Sequence, residues 1–204
     1  MGTPSSIRFF DAQFQRQIHH GELALNPFEL ATLPYLRGRV LDFGCGIGNL
    51  AVAAARRGCT VVALDASRTA IEHLRQVAAS EGLPIDAVQA DLRSHEWTED
   101  FDAIACIGLL MFFDCRTAYR QLASLQAHVR PGGVAAVNVL VEGTTYLDMF
   151  GPERHCLFAP DEMTRRFAGW ELLHLEPQAF EAPNGRIKSF VTLVARKPAV
   201  QALV

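Results

Sequence analysis

No apolar run in this chain is long enough to cross a membrane: the longest, residues 103–113, falls well short of the roughly 20 that a spanning helix needs. Residues 1–20 are polar and mixed in charge, without the apolar core of a secretory leader. A basic excess is missing too. Nineteen Lys and Arg stand against 22 Asp and Glu, a formal charge of −3, which argues against an electrostatic grip on nucleic acid or anionic lipid. The five cysteines, Cys45, Cys59, Cys106, Cys115 and Cys156, form no CxxC pair, and four of them sit in or beside apolar runs. They read as free, buried thiols. Cys156 follows His155, yet no Cys–His or His–carboxylate spacing builds on that pair, so no metal site is expected. Repeats, low-complexity tracts and Pro/Gly-rich linkers are absent as well. These absences leave one cytoplasmic domain, residues 1–204, able to bury roughly 70% of its unfolded surface around one core. Its partner is expected to be a small molecule rather than a polymer or a membrane, and it is expected to act as a monomer or homodimer.

What the chain does have is alternation. Short apolar runs at 39–43, 60–64, 85–89, 101–107 and 134–141 read as strands, and stretches with a period near 3.6 lie between them. Ile71, Leu74 and Ala78 share one face of a helix over 67–81, and Ala118, Leu122, Leu125 and Val129 do so after Asp114. Strands apolar on both faces imply helices on both sides, hence a parallel α/β sheet built from βαβ units. Further on, Pro160, Asp161 and Glu162 read as a helix start that Gly169 closes. Extended runs at 170–175 and 187–196 flank Pro183-Asn184-Gly185, the signature of a C-terminal antiparallel hairpin. Phe9, Phe10, Phe14 and Ile18 can line one helical face near the N-terminus, and Asn26-Pro27 reads as a break in any helical pattern beyond it.

The stretch Asp42-Phe43-Gly44-Cys45-Gly46-Ile47-Gly48-Asn49 closes the first strand and opens a helix. A glycine-rich turn there lets backbone approach a ligand and aims a helix N-terminus at it. The dinucleotide fingerprint GxGxxG would put glycine at position 49, where this chain has Asn49. Asp42, just before the glycines, would repel a pyrophosphate but suits a ligand carrying an ammonium group. Asp65, 17 residues beyond Gly48, ends the second strand, where a carboxylate can accept both hydroxyls of a ribose. Asp91 ends the third. Three successive strands thus each present an aspartate at the carboxyl end.

This ordered set resembles the class I S-adenosylmethionine-dependent methyltransferases, over residues 36–141 by motif and through the hairpin by topology. The resemblance implies a Rossmann-like sheet, mostly parallel with the C-terminal antiparallel hairpin and helices on both faces. It implies S-adenosylmethionine as cofactor, with S-adenosylhomocysteine as product. Asp42, Gly44, Cys45, Gly46 and Gly48 would pack on its methionine moiety, Asp65 with Ala66 would hold the ribose, and Asp91 with Leu92 would meet the adenine. Ile107, at the end of the fourth strand, would pass beside the reactive methyl group. Gly108-Leu109-Leu110-Met111-Phe112-Phe113 and Asn184-Gly185-Arg186-Ile187-Lys188 are similar to the bacterial tellurite-resistance group, with Arg186 at the site position. That group carries a histidine-arginine pair shortly before the second segment, and this chain does not. The acceptor is accordingly left as a thiol, a chalcogen oxyanion or another small anion, with Arg186 to orient it and His155 as a candidate base. The N-terminal segment, residues 1–35, is read either as a lid over the cofactor or as packing on the sheet, and residues 142–204 as the acceptor side. Two rival readings stay open: a non-catalytic S-adenosylmethionine-binding module, and a nicotinamide-dependent oxidoreductase, which Asn49 and Asp42 disfavour.

Overall fold

The computed structural model describes residues 5–150 and 155–199, with side chains described from residue 10 onward. Phe9, grouped above with Phe10 and Phe14, lies outside the described side chains. Seven strands form one sheet: β1 (Arg39–Phe43), β2 (Thr60–Asp65), β3 (Ile85–Gln89), β4 (Phe101–Ile107), β5 (Val129–Leu140), β6 (Glu171–Ala182) and β7 (Arg186–Arg196), in the order β3-β2-β1-β4-β5-β7-β6. The first five run parallel, and β7 pairs antiparallel with both β5 and β6. The order reverses between β1 and β4. Such a switch point opens a crevice at the carboxyl ends of the strands, where ligands of open α/β sheets bind.

The central strands are apolar on both faces because both faces are covered. Leu41, Phe43, Ile104 and Cys106 pack into one buried cluster, while Val40, Ala63, Ala103 and Ala105 pack into a second on the opposite face. The helices are α1 (Ser5–His20), α2 (Pro27–Thr32), α3 (Asn49–Arg56), α4 (Arg68–Glu81), α5 (Cys115–Ala127) and α6 (Glu162–Arg166). Ser67 caps α4 through its side chain and Asp114 caps α5; Ile71, Leu74 and Ala78, and Ala118, Leu122 and Leu125, are buried as their spacing predicts, whereas Val129 lies beyond α5 at the start of β5. Both strands of the hairpin are longer than the sequence suggests. β5 starts at Val129 because a register shift between Phe101 and Ala103 absorbs Pro131-Gly132-Gly133.

Two expectations are corrected. Asn26-Pro27 does not break the chain but starts α2: the Asn26 side chain accepts from the amides of Phe28 and Glu29, and Glu29 accepts from the Asn26 amide. Proline is well placed there, since its missing N–H is one a helix start leaves unbonded anyway. Nor are all cysteines free. Cys115 and Cys156 form a disulfide, with Cα atoms 4.7 Å apart, while Cys45, Cys59 and Cys106 are buried free thiols. The bridge ties the start of α5 to the loop after β5, and the Cys156 amide adds a bond to the Met111 carbonyl.

Candidate functional site

A cavity of about 820 Å³ opens at the carboxyl ends of the parallel strands. Its walls follow the strand order. The turns after β3 and β2 supply Asp91 and Leu92, then Asp65 and Ala66; the glycine loop after β1 supplies Gly44, Cys45 and Gly46; the segment after β4 supplies Ile107, Leu109, Phe112 and Phe113. Two further walls come from the N-terminal segment. α1 contributes Phe10, Asp11 and Phe14, and the start of α2 contributes Glu29.

The glycine loop is held shut against β2. The amides of Gly44 and Cys45 donate to the Leu64 carbonyl, and the Gly46 amide donates to Asp65 Oδ2 at 2.9 Å. Asp65 Oδ1 accepts from the Ser67 amide at 2.8 Å. Gly46 has φ 52°, and a Cβ there would stand 3.3 Å from the Phe14 ring, so the missing side chain lets α1 lie on the loop. Gly48 does something else. It lies outside the cavity lining with φ 86°, and a Cβ there would come within 2.4 Å of Leu74, so this glycine packs α4 rather than facing a ligand. A hydrogen bond from the Ser67 hydroxyl to Asp11 ties α1 to the cap of α4.

Charge in the cavity is lopsided. Burial pushes the Asp65 carboxyl up from its ordinary range, against the opposing amides of Ser67 and Gly46, and Asp11 adds to the rise. Burial likewise raises Glu29, opposed by the Asn26 amide. Asp42, on the face of β1 shared with Val40 and Ala63, is 3% exposed and sits one layer behind the lining. Burial, with Glu29 and Asp65 adding repulsion, pushes its carboxyl up to about 8. Its Oδ2 is buried with no hydrogen-bond partner among the described residues. An orphaned buried carboxylate oxygen beside two more desolvated acids fits a ligand that brings positive charge and donors. It does not fit a pyrophosphate.

Of the residues that the sequence singles out, Gly44, Cys45, Gly46, Asp65, Ala66, Asp91, Leu92 and Ile107 meet at the cavity. Arg186 and His155 do not line it. The Arg186 guanidinium grips both oxygens of Asp148, at 2.6 and 2.7 Å, donates to the Pro183 carbonyl and lies over the Tyr146 ring. His155 stacks on Phe150, with ring centroids 4.3 Å apart. Asp11 and Glu29 went unnoticed in the sequence. For Glu29 the signal was present, as an Asn26…Glu29 capping box three residues apart; Asp11 carried none, because only tertiary packing brings α1 over the sheet.

Residues 40–133 match the family model described as "Methyltransferase domain", and the switch-point sheet, the glycine loop and the row of aspartates resemble those of the class I S-adenosylmethionine-dependent methyltransferases. Within that class the chain resembles the tellurite-resistance group. It is 28% identical to the "Probable S-adenosyl-L-methionine-dependent methyltransferase TehB" of Haemophilus influenzae, over 78% of this chain and 57% of that protein. The solved structure of TehB from Haemophilus influenzae superposes with a TM-score of 0.73 at 22% identity, covering 85% of this chain and 63% of that one. "Hemagglutinin 1" of Eikenella corrodens is 32% identical over 78% of this chain and 55% of its own length. The chain thus spans a little over half the length of these curated relatives.

Proposed function

We propose that the chain transfers the methyl group of S-adenosylmethionine to a small-molecule acceptor. The observation that carries this reading is a single cavity with two chemically different ends on the carboxyl edge of a parallel sheet. Carboxylates stand at the ends of β3 and β2, the glycine loop follows β1, and aromatic side chains follow β4. Glu29, with Asp42 behind it, would hold the ammonium group of the cofactor. Asp65 keeps lone pairs beyond those given to Gly46 and Ser67, and these would accept the ribose hydroxyls. Asp91 and Leu92 would flank the adenine. When bound, the cofactor supplies a methyl group already activated by positive sulfur. The chain's own work is then alignment and exclusion of water. Phe14 closes over the glycine loop, and Phe10, 4.9 Å edge-on from Phe112, closes the other end. On this reading residues 36–141 hold the cofactor, and residues 1–35 and 142–204 shape the acceptor side. Arg186 and His155 enter as positioning residues for the loop after β5, through Asp148, Tyr146 and Phe150.

Calorimetry with S-adenosylmethionine and S-adenosylhomocysteine tests the reading, together with release of S-adenosylhomocysteine on a panel of thiols, amines, phenols, selenite and tellurite. Binding of both and turnover with at least one acceptor is expected. Folded protein that binds neither contradicts it, and binding without turnover on any acceptor would leave a binding module. A titration with NADH should show nothing, because the acids that suit an ammonium repel a pyrophosphate. No helix among the described residues is long and apolar enough to cross a membrane. A cytoplasmic location is part of the proposal. The Cys115–Cys156 bridge would be subject to reduction in that milieu, and thiol trapping in fresh lysate reads its state.

A further inference from the structure

The cavity's second end also bears on which molecule is methylated. The segment after β4 turns four apolar side chains to the cavity, Ile107, Leu109, Phe112 and Phe113, and α1 adds Phe10. Phe112 is fixed from two sides, edge-on to Phe10 at 4.9 Å and against Phe150 at 5.1 Å. Among the described residues, the charged groups that line the cavity come from other elements. Asp91 and Arg93 follow β3, Asp65 and Arg68 follow β2, Glu29 opens α2, and Asp11 is tied to Ser67 at the end of β2. Arg68 points to solvent and is paired with Glu72 at 2.6 Å. Arg186, the cation that the sequence offers for an oxyanion, is held by Asp148 outside the lining.

We infer that the acceptor is an uncharged nucleophile carried on an aromatic or apolar body, and not an oxyanion. This rests on the methyl-transfer reading above and narrows it. An oxyanion binds tightly where guanidinium or amide donors converge on it, and among the described residues no lining guanidinium belongs to the segment after β4. Instead an anion would share the cavity with Asp11, Glu29, Asp65 and Asp91. For an uncharged acceptor the charge balance runs the other way. Its lone pair forms the new bond to the methyl carbon as the carbon–sulfur bond breaks, and that bond's electron pair stays on sulfur. The positive charge thereby moves from sulfur to the acceptor, where aromatic faces and nearby carboxylates favour it. A sulfide keeps that charge; a primary or secondary amine afterwards gives its N–H proton to water. No base is needed at the aromatic end, in keeping with the apolar side chains found there.

The test is a titration of the protein saturated with S-adenosylhomocysteine, using aniline and methyl phenyl sulfide, both uncharged near neutral pH, against selenite and tellurite. The aromatic probes should bind at least about tenfold more tightly than either oxyanion, about 1.4 kcal/mol. Phe112→Ala should weaken the aromatic probes more than it weakens S-adenosylhomocysteine. Tighter binding of selenite or tellurite overturns the inference, and the wild-type panel decides this even where the variant fails to fold. An aromatic preference left unchanged in a folded Phe112→Ala variant overturns it as well. Failure of S-adenosylhomocysteine itself to bind is a different result: it removes the methyl-transfer reading, and this one with it.

Discussion

The two ends of the cavity are built on opposite principles. The acid end is made of short turns after β1, β2 and β3, pinned by backbone hydrogen bonds such as those from Gly46 and Ser67 to Asp65. Its acids are desolvated and inadequately compensated, as the unpartnered Oδ2 of Asp42 and its raised carboxyl show. Among the described residues, the segment after β4 brings no such acid to the cavity. It is held by ring contacts among Phe10, Phe112 and Phe150, and by the disulfide that joins the start of α5 to the loop after β5. A backbone-pinned, charged end suits one invariant ligand, whereas an end held by ring packing can change its lining without disturbing the first. The comparison can be broken one end at a time.

Opening the disulfide should have the largest effect, and at the aromatic end. The bridge closes a loop across a sequence separation of 41, and the chain-entropy value for a loop of that size is about 4 kcal/mol. Cys156→Ser should lower denaturant stability by up to that amount and weaken acceptor binding, with the affinity for S-adenosylhomocysteine little changed. Asp65→Ala should do the reverse. Each hydrogen bond to a charged acceptor contributes about 1.5–3 kcal/mol, so losing both ribose contacts should cost the cofactor at least about 100-fold in affinity by calorimetry. Gly48→Ala comes next. Its Cβ would clash with Leu74 at a left-handed φ, which should cost about 2–3 kcal/mol of stability on thermal or urea unfolding. The effect on cofactor affinity should be small once the protein is folded, because this glycine faces α4.

A pH dependence is also expected at the acid end. Between about 4 and about 8 the folded protein keeps a proton on Asp42 that the unfolded chain releases. Stability should therefore fall as pH rises through that window and level off above it. Asp42→Asn should flatten the profile and stabilise the cofactor-free protein at high pH while weakening cofactor binding. Urea unfolding across that pH range checks the first, and calorimetry the second.

Legibility in the sequence also differs between regions. The inner parallel strands are legible because both faces are buried, so β1 and β4 run largely apolar over Arg39–Phe43 and Phe101–Ile107. The loop and its aspartates are legible because backbone approach and helix starts demand particular residues in a local order. The features that escaped depend on partners distant in sequence. The bond between Cys115 and Cys156, the ion pair of Arg186 with Asp148, and the packing of Phe14 on Gly46 each join segments that no short-range pattern connects. α2 is the exception. Asn26, Pro27 and Glu29 together spell a capped helix start, and reading the proline alone as a breaker hides it.

The division of the cavity into a cofactor end and an acceptor end is most directly tested by a crystal structure of the complex with S-adenosylhomocysteine. The predicted result is a ligand with its amino group at the Glu29–Asp42 side of the glycine loop, its ribose on Asp65, its adenine at Asp91 and Leu92, and its sulfur turned toward Phe112. A ligand with its sulfur turned away from the segment after β4, or one bound outside this cavity, would contradict the account.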